Sequence, residues 1–311
     1  MPELILHHYA ISPFAEKMRL VLGFKGVAWR SVDIPAVMPK PDVVALTGGY
    51  RRTPFMQIGA DIYCDTALMC RVLDRMQPEP ALYPNEVAGV AQIVAQWADS
   101  ALFWIAAPYT MQPAGSAHLM PGATVDTLKA FAADRAAMSP NLRRPTLADG
   151  GAALRAYCAR IENMLADGRV FLLGAQPSIA DFSTAQSIWF IKRAPPVATV
   201  LEPFTRLLAW FERVAAFGHG SATSMTSTEA IAIAVAASGS HAALSFEAEA
   251  GLEEGAEVTV TPTDYAHDAV AGRLVGLGPD EVVIARSDER AGQLHVHFPR
   301  IAFQIKKQTV Q

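Results

Sequence analysis

The stretch ELILHHYAISPFAEKMRLVLGFKG, residues 3–26, decides the fold of the first part of the chain. Its first seven residues predict a short apolar strand. Pro13 suits the first turn of the helix that follows, because the N–H that proline lacks has no intrahelical acceptor there. Apolar residues then recur at helical spacing until Gly26, which we expect to end the helix. Ser12, directly before the proline, either only caps this helix or also holds a reactive group.

The next fifty residues continue the alternation of strand and helix signals. We predict a strand over 27–34, a proline-rich stretch over 35–41, a short helix up to Leu46, a hairpin with strands at 55–58 and 62–64, and a helix from Asp65 or Thr66 to about residue 76. This β-α-β-α-β-β-α order is that of a thioredoxin-like domain, which we place at residues 1–78. Thr53-Pro54 lies before the third strand, where that fold carries a cis proline.

The rest of the chain divides by composition into a linker, a helical region and a third module. Prolines make 79–85 a linker, and 86–238 is predicted to be an all-helical domain. Within it, Ser178 and Asp181 predict a capping box ahead of an apolar helix. Residues 239–311 contain four or five short alternating strands separated by turn residues, which is typical of a small β-barrel-like domain. We therefore expect an α/β domain, an all-α helical bundle and a separate C-terminal β-module.

Composition and charge weigh against several classes of function. The net charge of −4 and the pI near 6.1, without a basic cluster, argue against a nucleic-acid partner. The first residues lack signal-peptide features, the apolar runs look too short to span a membrane, and the 3 cysteines lack metal-ligand spacing. A cytoplasmic location without a membrane partner is expected. The sequence contains no phosphate-binding glycine loop and no serine-elbow motif.

Two pairs of histidines are the candidate metal ligands. His7 and His8 are neighbours on one predicted strand and therefore face opposite ways. His295 and His297 share a strand face and could join the His-Asp pair at 267–268 around zinc or a phosphate. A polar strand face explains the same residues without a ligand. We predict no metal site.

These motifs together resemble those of a cytosolic glutathione transferase, over about residues 1–237. The resemblance rests, in chain order, on Ser12-Pro13-Phe14, Thr53-Pro54, Asp65-Thr66 and the capping box at 178–181. The segment SPFAEK also resembles the Cys-Pro-Phe start of omega-type members, with serine replacing the cysteine that thiol–disulfide exchange would need. The resemblance implies glutathione as co-substrate, a small electrophilic or hydrophobic second substrate, and a homodimer.

The resemblance also implies roles for individual residues. The Ser12 hydroxyl would hydrogen-bond the sulfur of glutathione and favour its thiolate, and the Thr53 backbone would pair with the cysteinyl part. Asp65 would meet the γ-glutamyl amine, although it could also be a plain helix cap. Thr66, at a helix start, would hold the γ-glutamyl carboxylate. The expected glutathione-binding residues are Phe14, Arg52, Thr53, Pro54, Asp65 and Thr66, and Arg52 could equally be a solvated loop charge.

Activation of the thiol by Ser12 is energetically adequate. Lowering a thiol pKa from about 8.5 by two units requires about 2.7 kcal/mol. A hydrogen bond to a charged group supplies about 1.5–3 kcal/mol, and the positive end of a helix adds roughly 0.3–1. Because a hydroxyl has one donor and two acceptor sites, Ser12 can cap the helix and donate to sulfur at once.

The second substrate is expected between the two halves of the chain, near the end of the long helix. The candidate pocket residues are Phe103, Trp104, Tyr109 and Met111, although aromatic residues on a helix are also common in a core. Cys64 is expected to be a buried small hydrophobe.

Two departures from the family pattern favour an alternative function. Asp-Thr at 65–66 replaces the usual Glu-Ser, and the β-module at 239–311 is additional. The alternative is a catalytically inactive glutathione-transferase-like scaffold, or a regulatory binding protein, that acts through this module.

Overall fold

The computed structural model describes residues 3–143, 145–242, 245–249 and 251–308. The outer ends of the predicted domains 1–78 and 239–311 lie outside the described residues. The N-terminal domain has the predicted order of elements: β1 (Ile5–His8), α1 (Pro13–Lys25), β2 (Ala28–Asp33), α2 (Pro41–Thr47), β3 (Phe55–Ile58), β4 (Asp61–Cys64) and α3 (Thr66–Met76).

The four strands of this domain form a mixed sheet in the order β2-β1-β3-β4. β1 is parallel to β2 and antiparallel to β3, and β3 and β4 form the predicted hairpin. Helix α1 ends at Gly26, whose φ of 63° is a left-handed conformation that glycine adopts at little cost. The Thr53-Pro54 peptide bond is cis. The thioredoxin-like fold is therefore confirmed.

Helices form the next part of the chain: α4 (Ala88–Trp97), α5 (Phe103–Thr110), α6 (Pro113–Leu119), α7 (Val125–Met138), α8 (Leu147–Met164), α9 (Ile179–Lys192), α10 (Pro195–Ala198) and α11 (Thr205–Ala215). Helix α9 is almost entirely buried and packs against α1, α4, α5 and α11. Its capping box is confirmed, because the Asp181 carboxylate accepts a hydrogen bond from Ser178 N at 2.9 Å. The same carboxylate accepts from Leu172 N at 2.9 Å and from Trp210 Nε1 at 2.8 Å. Asp181 therefore joins three separate segments of the helical region.

A π-helical turn, Ala98–Leu102, connects α4 to α5, so that residues 88–110 form one continuous helical run. An 18-residue window of this run has a mean hydropathy of 1.2, so by length and composition the run could cross a membrane, although the apolar runs of the sequence look too short to do so. Core helices of soluble proteins share these properties, and this helix packs against α8 and α9. The evidence for a membrane span is therefore weak.

The end of the predicted helical region belongs to the sheet instead. β5 (Ser221–Met225) pairs in parallel with β2, and α12 (Ser227–Ala236) packs against α2 and β2. The expectation of an all-helical segment up to residue 238 is thus corrected. The short polar sequence SATSM has no strand pattern of its own, and its pairing depends on the exposed edge that β2 offers.

Five further strands confirm the predicted strands of the C-terminal region: β6 (Glu257–Pro262), β7 (Val270–Leu277), β8 (Glu281–Asp288), β9 (Gly292–Pro299) and β10 (Phe303–Lys307). They are not a separate module, because β9 pairs in parallel with β4 and extends the sheet to ten strands, in the order β10-β6-β7-β8-β9-β4-β3-β1-β2-β5. We call β6–β10 the added sheet. Its apolar residues share one core with α2, α12 and one face of the N-terminal strands.

Polar contacts reinforce the junction between β4 and β9. The buried His297 ring lies with Nε2 3.1 Å from Asp61 and Nδ1 2.7 Å from Glu281. Burial alone would lower the pKa of His297, but the hydrogen bonds to these two carboxylates outweigh it and raise the pKa. The imidazole is therefore part of the attachment of the added sheet.

Candidate functional site

Ser12 caps α1 and lies beside the cis-proline turn. Its Oγ accepts a hydrogen bond from Ala15 N at 3.2 Å and donates to Thr53 O at 3.4 Å, and the residue is 2% exposed. The second bond is longer than an ordinary hydroxyl–carbonyl bond of about 2.7–2.8 Å, and is therefore weak. The cap is present, and the hydroxyl proton is held loosely enough for another acceptor to replace Thr53 O.

The Thr53 backbone is available for pairing. Its amide N–H has no hydrogen-bond acceptor among residues 3–143, 145–242, 245–249 and 251–308. The following Pro54 bond is cis, which directs the chain into β3 immediately after the turn. An extended peptide lying along Thr53 would meet a free donor here.

Lys40 contacts the Thr53 side chain and was not identified from the sequence. Its Nζ donates to Thr53 Oγ1 at 3.3 Å, and the residue is 2% exposed. Burial, and then repulsion from Arg135, lowers the pKa of Lys40 to about 8. Within the described part of the chain, no carboxylate forms an ion pair with it, because nearby Asp134 pairs with Arg51 and Arg135.

Asp65 and Thr66 form the start of α3, with Asp65 as the N-cap and Thr66 as the first helical residue. Asp65 caps the helix by accepting from Ala67 N at 2.9 Å, and its φ is 74°, which is rare for a residue with a side chain. Buried Lys17 donates to Thr66 Oγ1 at 3.1 Å and forms an ion pair with Asp99 at 2.6 Å. Burial alone would lower the pKa of Lys17, but Asp99 outweighs it and raises the pKa. Lys17 is thus a charged internal support for the Thr66 turn.

Arg52 is not the solvated loop charge that one reading of the sequence predicts. It is 6% exposed, forms an ion pair with Asp264, and donates to the carbonyl oxygen of Tyr265. Its guanidinium carbon lies 3.8 Å from the centre of the Tyr265 ring. Opposing charges and the aromatic ring accordingly hold Arg52 against the loop between β6 and β7.

Two cavities of similar size adjoin at these residues. We call the first, of about 510 Å³, the aromatic pocket; it is lined by Ser12, Phe103, Trp104, Met111, Phe131 and Phe190 among others. The second, of about 500 Å³, is the charged pocket, lined by Lys17, Asp65, Thr66, Arg71, Asp99 and Asp280 among others. Both are lined by Phe14, Arg52, Thr53 and Tyr265. The predicted glutathione residues and Ser12 therefore border one divided cleft.

Three of the four candidates for the second-substrate pocket line the aromatic pocket, namely Phe103, Trp104 and Met111. Tyr109 does not; it packs into the helical core close to Gly151 of α8. The reason is the helical period, because residues 104 and 111 are seven apart and share a face, whereas 109 is five residues from 104 and faces elsewhere. The expectation for Tyr109 is corrected accordingly.

The histidine pairs and Cys64 lie outside this cleft. His7 is hydrogen-bonded to Gln57, and His8 to Ser31. Among the residues that the structure describes, no three His, Cys, Asp or Glu side chains converge as metal ligands. Cys64 is buried, as expected, and burial raises the pKa of its thiol well above the usual range.

Some important residues of the cleft were missed by sequence reasoning. Lys17 had a signal, because its spacing from Phe14 and Met18 places a charge on the apolar face of α1. Lys40 and Tyr265 had none, since one lies in a proline-rich loop and the other in a strand connection. Only the tertiary structure brings these loops together.

Comparisons with known proteins give a consistent result. Residues 6–81 match the family profile described as glutathione S-transferase, N-terminal domain, and residues 128–213 match the glutathione S-transferase C-terminal domain. No curated protein matches the sequence. A solved structure of a GST-like protein from Pseudomonas syringae is 42% identical, covers 99% of this chain and 100% of its own, and superposes with a TM-score of 0.81. Because the match covers nearly all of both chains, it extends over the added sheet.

More distant structures share the fold alone. A glutathione S-transferase from Rhodospirillum rubrum F11 is 18% identical, with a TM-score of 0.53, over 68% of this chain and 88% of its own. The beta-etherase LigF from Sphingobium sp. strain SYK-6 is 15% identical, with a TM-score of 0.53, over 68% of this chain and 95% of its own.

Proposed function

The chain belongs to the glutathione S-transferase family, and we propose that it binds glutathione, favours the thiolate through Ser12, and adds the sulfur to a small apolar electrophile. The observation that carries this proposal is the position of Ser12. Its hydroxyl lies at the N-terminus of α1 in the lining of the aromatic pocket, 3.4 Å from the carbonyl oxygen of Thr53, a residue that lines both pockets.

Glutathione would lie along Thr53, with its γ-glutamyl end in the charged pocket. The partly exposed Asp65 carboxylate would receive the amine, and the first turn of α3 at Thr66 would receive the carboxylate, since helix N-termini favour anions. The unusual φ of Asp65 supports this role, because strained residues cluster at functional sites. The glycine carboxylate would then lie toward Lys40, whose Nζ donates to the Thr53 side chain.

The chemical step needs no general base on the protein. The thiol proton leaves to solvent, and the Ser12 hydroxyl together with the positive end of α1 stabilises the sulfur anion. The thiolate then forms a carbon–sulfur bond with an electrophile in the aromatic pocket, and the electrophile releases its leaving group or takes up a proton. Phe103, Trp104 and Met111 supply the apolar surface that such an electrophile would contact.

The alternative, a glutathione-binding scaffold without turnover, is favoured only by the added sheet and the Asp-Thr pair at 65–66. Turnover distinguishes the two functions, because a scaffold would bind glutathione and leave an activated aryl halide unreacted. The family typically forms dimers, so we also propose a homodimer, which light scattering would test, in a cytoplasmic setting.

Glutathione binding is tested by calorimetry on the wild type, Asp65→Asn and a matched control. Asp65→Asn keeps the oxygen that caps α3 but removes the negative charge, so glutathione should bind about 10-fold more weakly or worse. Asp126→Asn, an exposed first-turn acid of α7, should leave binding unchanged. Equal affinity in wild type and Asp65→Asn would contradict the proposed orientation, and no binding by wild type would contradict the function.

A further inference from the structure

The loop between β6 and β7, residues 263–269, carries the added sheet into the cleft between the other two domains. Asp264 forms an ion pair with Arg52 of the N-terminal domain. On the other side, Ala266 N donates to Met138 O, at the end of α7, at 2.6 Å. The loop is therefore attached to both halves of the chain, one residue either side of Tyr265.

Tyr265 occupies the centre of this attachment. Its ring lies against the Arg52 guanidinium at 3.8 Å and meets the Trp104 ring edge-on, with 5.1 Å between the ring centres. Cation–aromatic and edge-to-face contacts of this kind fix the orientation of a ring. Tyr265 also lines both the aromatic and the charged pocket. The ring is accordingly a wall that the two cavities share.

Arg52 supports this wall. Its terminal nitrogens donate to Asp264 and to the Tyr265 carbonyl oxygen, which leaves only Nε without an acceptor among the described residues. A guanidinium held by these three hydrogen bonds cannot move far to meet a substrate, although two of its five N–H groups, including the one on Nε, are not used by them. Burial also raises the pKa of the Tyr265 phenol to about 12, so that the ring borders the cleft as a neutral group.

We propose that Tyr265 is a specificity-determining residue: its ring separates the glutathione subsite from the acceptor subsite and limits the size of the electrophile that reaches the sulfur. This inference rests on the proposed function, because that function assigns one cavity to glutathione and the other to the electrophile. It gives the added sheet a role inside the active site. Arg52 and Asp264 are then positioning residues, because they act on the substrates through the Tyr265 ring.

The first experiment tests, without glutathione, whether the Tyr265 ring separates the two cavities, by measuring the affinity of the protein for ligands of different size. Two fluorescent probes of different size, anilinonaphthalene sulfonate and its covalent dimer, are titrated into the wild type, Tyr265→Ala and Tyr265→Phe. Joining the two cavities in Tyr265→Ala should improve the affinity for the dimer relative to the monomer by about 10-fold or more, whereas Tyr265→Phe keeps the ring and should match the wild type. Asp268→Ala, an exposed substitution in the same loop, is the matched control.

The location of the probes needs its own control. Ala132→Trp places a large side chain into the lining of the aromatic pocket and should weaken binding of both probes. Thermal melting confirms that each variant is folded, and Tyr265→Leu, which keeps an apolar side chain but not the flat ring, replaces the alanine variant if that one is unstable.

The second experiment measures turnover with glutathione and a pair of aryl halides, one compact and one extended. In Tyr265→Ala, the ratio of kcat/KM for the extended to the compact substrate should rise about 10-fold or more. A rise in KM for glutathione alone would instead indicate a structural role in the glutathione subsite and would overturn the inference.

The two experiments separate the possible failures. If the wild type neither binds nor uses glutathione, the proposed function is wrong, and the probe titration still decides whether Tyr265 divides the cleft. If glutathione is used but neither the probe preference nor the substrate ratio changes in a folded Tyr265→Ala, the inference is wrong and the proposed function stands.

Discussion

Replacing Ser12 with alanine should raise the pKa of the glutathione thiol in the complex. In the structure, the hydroxyl accepts a hydrogen bond from Ala15 N at 3.2 Å and donates a weak hydrogen bond to Thr53 O at 3.4 Å. A bound thiolate is the better acceptor, because hydrogen bonds to charged groups are roughly twice as strong as neutral ones. The substitution removes this bond and leaves the rest of α1 in place.

The size of the effect follows from the strength of the bond. A hydrogen bond to a charged group is worth about 1.5–3 kcal/mol, which corresponds to about one to two pKa units. If the bound thiol of the wild type has a pKa near 6.5, the thiolate fraction at that pH falls about 5- to 50-fold in the variant, and kcat/KM falls with it. The lost helix cap costs about 1 kcal/mol of stability in addition.

The assay is the ultraviolet absorbance of the thiolate, titrated with pH in the complex. Thr146→Ala is the matched control, because Thr146 caps α8 at 3.2 Å in the same way but lies away from the cleft. It should lower stability by a similar amount and leave the thiol pKa unchanged. If Ser12→Ala binds glutathione with the same thiol pKa as the wild type, Ser12 is only a helix cap and the reasoning is wrong.

Three further predictions concern buried ionisable groups. Asp181→Ala leaves buried donors without an acceptor and should lower the free energy of unfolding by more than about 3 kcal/mol in urea denaturation; the exposed Asp149→Ala should cost far less. Because Lys40 is charged only below about pH 8, calorimetry should show that S-methylglutathione binds more weakly as the pH rises through 8, and Lys40→Met should bind weakly without that dependence. Burial lowers the pKa of His7 and His8 to about 4. Below about pH 6.5 the unfolded state therefore binds more protons than the folded state, and the free energy of unfolding should fall from there toward pH 4. A free energy of unfolding that does not change over this pH range would contradict the prediction.

Local signals in the sequence predicted much of the fold. Gly26 ends α1 because the left-handed conformation is inexpensive for glycine, and Asp181 caps α9 because its carboxylate reaches the N–H three residues earlier. Both are properties of a few neighbouring residues. The same holds for the hairpin of β3 and β4, whose turn residues at 59–61 between two apolar runs predict both strands without reference to the rest of the chain.

The pairing between strands that lie far apart in the sequence was not predicted, because it depends on residues outside each strand. β5 is short and polar, and it becomes a strand because β2 supplies its hydrogen-bond partners. β9 looked like part of an independent barrel, but its pairing with β4 over Asp61–Tyr63 makes the two sheets one. The environment of Arg52 depends on that pairing, since the loop that holds it belongs to the added sheet. The family resemblance predicts that Arg52 contacts glutathione, but it could not predict Asp264 as the partner of Arg52.

Two buried lysines, Lys17 in the lining of the charged pocket and Lys40 beside Thr53, differ in whether the chain supplies a counter-charge. Lys17 has its counter-charge within the chain, because Asp99 raises its pKa and accepts its hydrogen bond at 2.6 Å. Lys40 is equally buried, but the described residues provide no carboxylate to pair with it, and its pKa falls to about 8. An unpaired buried charge is costly unless a partner arrives from outside. A ligand carboxylate placed at Lys40 would remove that cost, whereas the same carboxylate at Lys17 would compete with Asp99. If the glycine end of glutathione lies toward Lys40, as proposed above, its carboxylate would supply the counter-charge that the described residues do not.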